Sequence, residues 1–395
     1  MDYRRTILPP NADILIIGAG IIGLALAFAL QKRGAKTVLL CAGDIGDGAS
    51  GASAGMVTPA FETLHWPPTT KNRLKKIADE SLAAWRVLEK KLHHETGRSI
   101  GLDLSGAIAL PDFSETSGQN AFIGQLNMLA KGQGLAWGEY PSDLFAELAG
   151  GGKKNTTRHL KKGLLAKGEG QIAPRQTCNV LAEAITKSGG LIGSHISLMG
   201  LEKKSGRVMA AHLSDSQTIT AKKIILATGA TTKKIWQENF PCPIYPVKGQ
   251  ALLLAAPPEV SFSQYKGPKV LRGDKCYICL KGDNSLLVGA TEEPDRDDLD
   301  LDEGQLKDLL LRAEKLLPGL SGLKRMRAWA GIRPGIKDHA PILDQSDQLE
   351  NLYYAAGHYR NGVLLAPKSA EIMGDLILDG KKPDRLFALA RFTPR

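Results

Sequence analysis

A glycine-rich turn between two apolar runs constrains the fold of this chain most strongly. The run Ala12 to Ile17 is short and rich in isoleucine, as expected of a strand buried on both faces. It leads directly into Gly18-Ala19-Gly20-Ile21-Ile22-Gly23, which has the pattern G-x-G-x-x-G. We predict a helix over Leu24 to Lys32 and a second strand over Lys36 to Cys41. This order of strand, turn, helix and strand is the context in which the motif binds a dinucleotide.

Each glycine of the motif has its own physical role. Gly18 permits the tight turn, Gly20 lets the backbone approach a pyrophosphate, and Gly23 lets the helix pack closely on the strand. The phosphates would then lie at a helix N-terminus, where free N–H groups and the helix dipole favour negative charge. An acidic residue is expected at the end of the second strand to bind the ribose hydroxyls, but Cys41 occupies that position. We keep Asp44, three residues further on, as the candidate substitute.

A run of small residues follows the second strand, from Asp44 to Met56. Such a run suits either a flexible linker or backbone that lies close against a flat ligand. Because it directly follows a nucleotide-binding unit, we favour the ligand.

Length and charge set broader limits. A chain of 395 residues suggests two domains, or one large body with an insertion. The formal net charge is +10, but the positive residues are scattered along the chain. The densest basic patch comprises Lys153, Lys154, Arg158, Lys161 and Lys162. We interpret it as a solvated hairpin loop, with an RNA-facing arm as the alternative.

The five cysteines are few and odd in number, which favours a reducing compartment over a disulfide framework. Cys276 and Cys279 form a C-x-x-C pattern in a strand-like run, where positions three apart point to opposite faces. No second cysteine or histidine pair completes a ligand set, so we predict no metal site.

The uncharged run from Ile14 to Leu30 has some features of a secretory signal. Glycines interrupt it, no small-residue cleavage site follows, and it is short for a membrane span. We therefore predict a cytoplasmic protein.

The middle of the chain predicts further elements of both kinds. Apolar residues from Leu74 to Leu92 form the buried stripe of a helix whose solvated end carries His93 and His94. Another helix opens at Pro174, and strands are predicted over Leu191 to Met199 and Lys223 to Ala227. The Ser205-Gly206 pair marks a hairpin turn.

Later segments alternate like antiparallel strands, namely Pro243 to Ala255, Lys275 to Leu280 and Ser285 to Thr291. His195 and His212 fall in predicted strands and are interpreted as structural. The fold class is thus α/β, with a Rossmann-like nucleotide-binding domain and a second domain built on an antiparallel sheet. We assign residues 1–90, 165–240 and 330–395 to the first domain, and residues 91–164 and 241–329 to the second.

The C-terminal part predicts a strand over Leu352 to Ala356, a turn over Gly357 to Gly362 and a helix over Val363 to Leu378. Pro367 is tolerated there because we place it near the helix start.

Taken together, these segments resemble the D-amino acid oxidase family, and within it the glycine oxidases of the thiazole pathway. The resemblance runs from Ala12 to about Phe392. It is most specific in Gly18 to Gly23, Ala49 to Met56, Pro246 to Gly249, Cys276 to Ile278, Gly289 to Thr291, Trp329 to Asp338 and Ala355 to Pro367.

The resemblance implies that FAD, rather than NAD, occupies the βαβ site. We expect non-covalent binding, because no cysteine lies between Cys279 and the C-terminus. The predicted cofactor-binding residues are Gly18, Gly20, Ile21, Ile22, Gly23, Cys41, Ala42, Ala49, Ser50, Ala54, Gly55, Met56, Leu198, Gly229, His358, Tyr359, Arg360, Asn361, Gly362, Val363 and Leu364. The helix N-terminus near Gly362 would stabilise negative charge on a reduced flavin.

The resemblance also implies a substrate site in which Arg333 binds a carboxylate, Tyr277 adds a hydroxyl and Arg360 borders the pocket. Without it, an arginine before Pro-Gly would most simply brace a turn, and a strand tyrosine would most simply pack in the core. Glu292 departs from the resemblance, because it stands where glycine oxidases carry an apolar residue near the pocket. Its role stays open between selecting the substrate amine and facing solvent.

The implied activity is oxidative deamination of glycine or another small amino acid, by hydride transfer from the α-carbon to flavin N5. The motifs contain no obvious acid or base. The products are an imine and, with dioxygen rather than another acceptor, hydrogen peroxide; the pathway implied is thiazole (thiamine) biosynthesis.

Rival hypotheses are a sarcosine or D-amino acid oxidase or dehydrogenase, a tRNA-modifying flavoenzyme that acts on a carboxymethylaminomethyl uridine, and a non-catalytic flavin-binding or NAD-binding regulator. We expect no membrane or nucleic-acid partner, and a homo-oligomer is left open.

Overall fold

The computed structural model describes residue 3, residues 6–111, residues 119–141, residue 144 and residues 160–393. In this part of the chain the α-helices, in order, are α1 (Ile21–Gln31), α2 (Ala49–Ala52), α3 (Pro59–Glu62), α4 (Pro68–Thr96), α5 (Gln119–Gln133), α6 (Pro174–Lys187), α7 (Glu303–Leu316) and α8 (Gly362–Asp379). Short 3-10 helices cover Gly229–Ile235, Leu320–Gly322, Tyr359–Asn361 and Leu389–Phe392.

The strands of the described residues are numbered in chain order. They are β1 (Asn11–Ile17), β2 (Thr37–Cys41), β3 (Met56–Val57), β4 (Ala107–Ala109), β5 (Ala136–Pro141), β6 (Leu160–Ala166), β7 (Gly170–Gln171), β8 (Leu191–Ser194), β9 (Leu198–Lys204), β10 (Arg207–Leu213), β11 (Thr218–Leu226), β12 (Ile244–Ala255), β13 (Val270–Arg272), β14 (Tyr277–Leu280), β15 (Ser285–Gly289), β16 (Glu293–Pro294), β17 (Arg325–Ile336), β18 (Ile342–Gln345) and β19 (Leu352–Ala356).

The first sheet has the order β18-β19-β11-β1-β2-β8, with β10 and β9 attached to β11. Strand β1 lies at its centre and pairs in parallel with both β2 and β11. Helices α1 and α8 pack against each other beside this sheet, and α8 also packs against α4. Central parallel strands that are covered by helices carry continuous apolar runs, which explains the isoleucine-rich sequence of β1.

The second sheet has the order β16-β12-β15-β14-β13-β4-β6-β5, with β17 paired to β12. It is antiparallel except for the parallel pair β13 and β4. The long strands β12 and β17 form its best-paired ladder, in which Val247 lies opposite Arg333. The chain therefore has the predicted α/β fold with an antiparallel second sheet, while the predicted domain boundaries stay a prediction.

Most predicted elements are confirmed, but several boundaries differ. Helix α1 begins at Ile21 rather than Leu24, because extended backbone at Gly20 ends the turn and lets the helix start at once. The predicted single strand from Leu191 to Met199 is wrong. His195 has φ 60°, a left-handed conformation that separates β8 from β9. His195 is therefore not in a strand, whereas His212 lies in β10 as predicted.

Two further predictions need correction. Pro367 lies inside α8, beyond its first turn, and not near the helix start. In the predicted basic loop, Lys161 and Lys162 belong to β6, where they pair with β5. The other three basic residues of that patch, Lys153, Lys154 and Arg158, lie outside the described residues.

The two cysteines of the C-x-x-C pattern pack into different apolar clusters. Cys276 lies beside Leu316 and Leu320, whereas Cys279 lies beside Ala107 and Val270. Their packing in separate clusters agrees with the prediction that they point to opposite faces, and both are free thiols. Within the described ranges, every helix is too short or too polar to cross a lipid bilayer.

Candidate active site

The glycine motif forms a tight passage between β1 and α1. Gly18 has φ 116°, and a Cβ at this position would overlap with the carbonyl oxygen of Ala227. A Cβ at Gly23 would overlap with the carbonyl oxygen of Gly18. Side chains are thus excluded from the crossing of strand and helix, as the motif predicts.

The N-terminus of α1 has the chemistry that an anionic ligand requires. Its N-cap residue, Gly20, has no side chain with which to cap the helix, and no acidic residue stands in the first turn. The Ser50 hydroxyl accepts a hydrogen bond of 2.9 Å from the N–H of Ile21, which brings the small-residue run to the same helix end. The helix dipole, the other backbone N–H groups of the first turn and the small glycine residues fit the pyrophosphate of a dinucleotide.

The end of β2 differs from the usual dinucleotide site. Burial raises the pKa of Cys41 to about 11, so its thiol stays protonated and donates to the carbonyl oxygen of Gly43 at 3.2 Å. The carboxylate of Asp44, the candidate substitute, lies 2.8 Å from His195 Nε2. Asp44 is therefore engaged with a neighbouring loop, and it still lies close to the end of β2.

The small-residue run links the first sheet to the second. It forms the short helix α2, and the indole N–H of Trp329 on β17 donates to the Ala52 carbonyl at 3.0 Å. A Cβ at Gly331 would overlap with Ala52, so β17 and α2 are in close contact. Lys281 Nζ donates to the Ala54 carbonyl at 2.7 Å and to Gln171 Oε1 at 2.6 Å. The predicted flavin segment is thus held directly against the strand that carries Arg333.

A cavity of about 560 Å³ lies over the second sheet. It brings together the three predicted substrate residues, which are Tyr277 on β14, Arg333 on β17 and Arg360 in the 3-10 helix Tyr359–Asn361. Its volume is in the range of small-molecule sites.

Arg333 lies in a strand rather than in a turn. Its Nη1 donates to the carbonyl oxygens of Thr291 at 3.1 Å and Lys248 at 3.4 Å. These bonds brace the backbone, which is the structural role that the sequence predicts for this arginine without the family resemblance. Its Nε and Nη2 donate to no described residue, and no described carboxylate pairs with it. Burial lowers the pKa of Arg333, but a guanidinium stays charged in proteins. One edge of the fork is therefore open to a carboxylate.

Two glycines provide the space for the polar groups in this cavity. A Cβ at Gly249 would overlap with the Arg333 guanidinium, and a Cβ at Gly289 would overlap with the Tyr277 hydroxyl. Tyr277 lies directly opposite Gly289 in the sheet. Burial raises the pKa of Tyr277, so the phenol stays protonated, and it makes no hydrogen bond to a described residue. Both groups can therefore donate to one ligand.

Glu292, whose role the sequence left open, does not simply face solvent. Its Oε1 accepts a hydrogen bond from the Tyr359 hydroxyl, and its Oε2 lies 3.0 Å from Arg360 Nη1. Burial and the neighbouring carboxylate raise the pKa of Tyr359, which keeps this phenol a donor. Glu292 lines the same cavity as Arg333.

A buried ionic cluster that the sequence did not reveal supports the cavity from below. The Glu62 carboxylate lies 3.0 Å from Arg272 Nη1 and 4.0 Å from Arg360 Nε. Burial alone would raise the pKa of Glu62, but the two guanidinium groups lower it below its ordinary value. Arg272 Nη2 also lies 2.9 Å from His65 Nε2. Arg360 was predicted from the family resemblance, whereas no motif or periodicity marked Glu62, His65 or Arg272.

Histidines near the cavity are neutral. Burial, and then the Arg360 cation, lowers the pKa of His65 to about 3. Burial lowers the pKa of His358 to about 3, and its Nε2 lies 2.9 Å from Ser369 Oγ. Burial also lowers the pKa of His339, whose ring packs edge-on against Tyr359 with centroids 4.9 Å apart.

The remaining predicted cofactor residues occupy three places. Most lie at the start of α8, where the N-cap residue Asn361 makes no side-chain cap and no acidic residue stands in the first turn. Gly229 begins a 3-10 helix just after β11, and Leu198 begins β9 beside the apolar cluster under β1. The predicted residues thus lie at the ends of β1, β2 and β11, at α2, at the start of β9 and at α8.

Comparison with known proteins agrees with this architecture. Residues 13–376 match the family described as FAD dependent oxidoreductase, DAO. The glycine oxidase of Geobacillus kaustophilus is 30% identical over 96% of this chain and 96% of the relative. The bifunctional protein ThiO/ThiG of Synechocystis sp. is 33% identical over 98% of this chain, which spans only 54% of that longer relative.

Solved structures show the same fold. The crystal structure of glycine oxidase from Geobacillus kaustophilus superposes with a TM-score of 0.82 at 27% identity, and covers 98% of this chain and 100% of that one. The L-proline dehydrogenase of P. horikoshii superposes with a TM-score of 0.77 at 19% identity, over 98% of each chain, and is evidence for the fold alone.

Proposed function

Because this chain belongs to the DAO family of FAD-dependent oxidoreductases, we propose that it oxidises glycine or another small amino acid at the carbon between nitrogen and carboxylate. The observation that carries the proposal is the open edge of Arg333 in a small cavity, beside a Tyr277 hydroxyl that no described residue binds. An α-amino acid offers the carboxylate that these donors fit. The likeness to curated glycine oxidases supports the same substrate class.

The residues proposed to hold FAD surround the first sheet. The α1 N-terminus with Gly18, Gly20 and Gly23 would receive the pyrophosphate, and the run Ala49–Met56 and the start of α8 would contact the flavin. When bound there, FAD supplies the acceptor for a hydride from the substrate carbon.

The protein side chains act mainly by positioning. Arg333 would grip the carboxylate through two N–H···O bonds, and the Tyr277 hydroxyl would donate a third. This fixes the orientation of the α-carbon, and well-oriented binding accounts for much of the rate gain in such reactions. The neutral state of His65 and His358 is maintained across physiological pH, so neither adds a charge near the substrate amine.

An anaerobic screen tests the substrate class. The yellow holoprotein is mixed with glycine, sarcosine, D-alanine and D-proline, and loss of flavin absorbance is followed. We expect glycine to bleach the flavin, with sarcosine or a D-amino acid doing so faster if the chain is one of the neighbouring oxidases or dehydrogenases. A flavin that none of these amines bleaches would contradict the proposal. Salt-dependent tRNA binding would instead favour the RNA-modifying alternative.

Variants at Arg333 test the site itself. Arg333→Ala should raise KM for the amino acid on the order of 100-fold, because two charge-assisted hydrogen bonds are lost. Arg333→Lys should recover part of this loss, since lysine keeps the charge but not the fork. Flavin content should stay unchanged in both variants, and an unchanged KM would remove Arg333 from the site.

The wider role proposed is the supply of an oxidised glycine product to thiazole (thiamine) synthesis. It is supported by the likeness to proteins named ThiO/ThiG. Dioxygen would then be one electron acceptor, and hydrogen peroxide its product.

A further inference from the structure

The cavity carries opposite charges at two separate places. Arg333 on β17 presents an open guanidinium edge, and Glu292 lines the same cavity between β15 and β16. The two side chains affect each other electrostatically but form no ion pair with one another. A guanidinium and a carboxylate that are held apart in this way do not neutralise each other, so each can take an opposite charge of one ligand.

Glu292 is held by two neighbouring residues of the 3-10 helix Tyr359–Asn361. The Tyr359 hydroxyl binds Oε1 and Arg360 Nη1 binds Oε2, so each carboxylate oxygen has one protein donor. A carboxylate oxygen accepts up to two hydrogen bonds, which leaves acceptor capacity on both atoms. The side chain is 44% exposed, and it lines the cavity.

The Arg360 cation does not depend on Glu292 alone. It also lies 4.0 Å from the buried Glu62 carboxylate, which in turn pairs with Arg272. The carboxylates of Glu62 and Glu292 thus pair with the guanidinium groups of Arg272 and Arg360. Arg333 has no carboxylate partner among the described residues, and a ligand carboxylate is its natural complement.

We infer that Glu292 receives the amino group of the substrate and so selects zwitterionic α-amino acids over simple carboxylates. The inference deepens the proposed function, on which it rests for the choice of a small amino acid as ligand. Glu292 accepts from an N–H of the substrate whether the amine is neutral or protonated, and Arg333 binds the other end of the ligand. Glu292 is thus a specificity-determining residue of the cavity.

The test compares glycine with acetate, which differ only in the amino group. Each is titrated by calorimetry into holoprotein that has been reduced with dithionite under nitrogen, where no hydride can be taken up and glycine binds without reacting. The variants are Glu292→Gln, which keeps the side-chain shape, and Glu292→Met, which removes both charge and acceptor. Glu303→Gln is the matched control, because Glu303 pairs with Arg325 on the exposed surface of α7 and does not line the cavity.

We expect the wild type to bind glycine more tightly than acetate. Both Glu292 variants should weaken glycine binding on the order of tenfold or more, the effect of a hydrogen bond to a charged group. Their affinity for acetate should stay the same or increase, because a negative charge is removed. Arg333→Lys should weaken both ligands, and Glu303→Gln should change neither.

Three results would overturn the inference. The wild type could bind glycine and acetate with equal affinity, or the Glu292 variants could lose affinity for both ligands to the same extent. The third result is that the Glu292 variants bind glycine more tightly than the wild type does. The last result would mean that the Glu292 carboxylate obstructs the cavity. A protein that binds glycine through Glu292 while no amine bleaches its oxidised flavin would retain this inference and lose the proposed function.

Discussion

Gly249 and Gly289 are the residues at which a single methyl group would change the cavity most. Each faces a polar group on a neighbouring strand, the Arg333 guanidinium in one case and the Tyr277 hydroxyl in the other. Neither glycine has a positive φ, so the need for glycine comes from space and not from backbone conformation. The positions of Arg333 and Tyr277 therefore depend on the absence of a side chain at these two glycines.

Replacing Gly249 with alanine should displace Arg333 without unfolding the sheet. We expect acetate to bind on the order of tenfold more weakly, because the guanidinium fork no longer faces the ligand. Acetate binding is read from the perturbation of flavin absorbance. Gly282→Ala is the control, since a Cβ at Gly282 meets no atom within 4 Å. Unchanged acetate affinity in Gly249→Ala would show that Arg333 does not need this space.

Glu169 is a second residue with a measurable signature. Its Oε1 accepts from the Ala60 N–H at 2.9 Å at the start of α3, and its buried Oε2 has no partner among the described residues. Burial raises the pKa of Glu169 from 4.5 to about 8. Its folded-state pKa is thus raised, so the stability linked to it is present below about pH 4.5 and is lost as pH rises through 8.

Glu169→Gln should remove this pH dependence, because the amide keeps an acceptor for Ala60 and cannot ionise. Relative to the wild type, the variant should gain on the order of a few kcal/mol between pH 5 and pH 8, since one pKa unit corresponds to about 1.4 kcal/mol. Urea unfolding at both pH values measures the difference. Glu259→Gln, at an exposed carboxylate, should show no such gain. If the variant and the wild type differ in their free energy of unfolding by the same amount at both pH values, the pKa of Glu169 is not raised by burial.

At the scale of elements, α8 shows how a helix accommodates proline. Pro367 has no N–H to donate to the carbonyl oxygen of Val363, four residues earlier. The indole N–H of Trp85 on α4 donates to that oxygen instead, at 3.0 Å. A side chain from one helix thus replaces the missing backbone donor of another, and Pro367 is tolerated beyond the first turn.

A double-mutant cycle tests this replacement. Trp85→Phe should destabilise the protein by at least about 1–3 kcal/mol, the cost of a buried carbonyl without a donor, in addition to lost packing. In a Pro367→Ala background the same change should cost less, because the alanine supplies the backbone N–H that proline lacks. Urea unfolding of the four proteins gives the coupling. A cost of Trp85→Phe that is equal in both backgrounds would mean that the indole hydrogen bond contributes nothing.

At the scale of the whole molecule, the predicted flavin segment is tied to both sheets. It follows β2 of the first sheet, and two residues of the second sheet or its turns donate to its carbonyl groups, Trp329 on β17 and Lys281 in the turn after β14. The buried pair of Glu62 and Arg272 joins α3 to β13 in the same region. A ligand in this segment would therefore stabilise the two sheets together.

Removal and return of FAD should change the stability of the whole chain. A ligand that binds only the folded state adds about 2.7 kcal/mol at a free concentration of 100 times its Kd. We expect the thermal midpoint of FAD-free protein to rise with added FAD, and NAD to have no effect at equal concentration. A midpoint that does not respond to FAD, or that rises with NAD, would contradict the assignment of the cofactor.

Local pattern predicted the nucleotide-binding half of the fold well. The isoleucine-rich run of β1, the three glycines and the apolar helix α1 are adjacent in the sequence, so their packing is encoded in their spacing. Boundaries were less accurate where a single backbone angle decided them, as at His195, whose left-handed φ separates β8 from β9. Arg333 and Tyr277 were predicted from motifs that resemble a family, and the fold places both in one cavity.

What the amino-acid sequence determined by itself was therefore the βαβ unit and the antiparallel ladder, while the candidate substrate pair came from the resemblance of its motifs to a family. Tertiary structure alone decided the surroundings of that pair. Glu62 meets Arg272 across 210 residues, Glu292 meets Tyr359 across 67, and Trp85 reaches Val363 across 278. Local propensity and periodicity act over a few residues, whereas these contacts depend on which strands and helices pack side by side, and so no local signal could predict them.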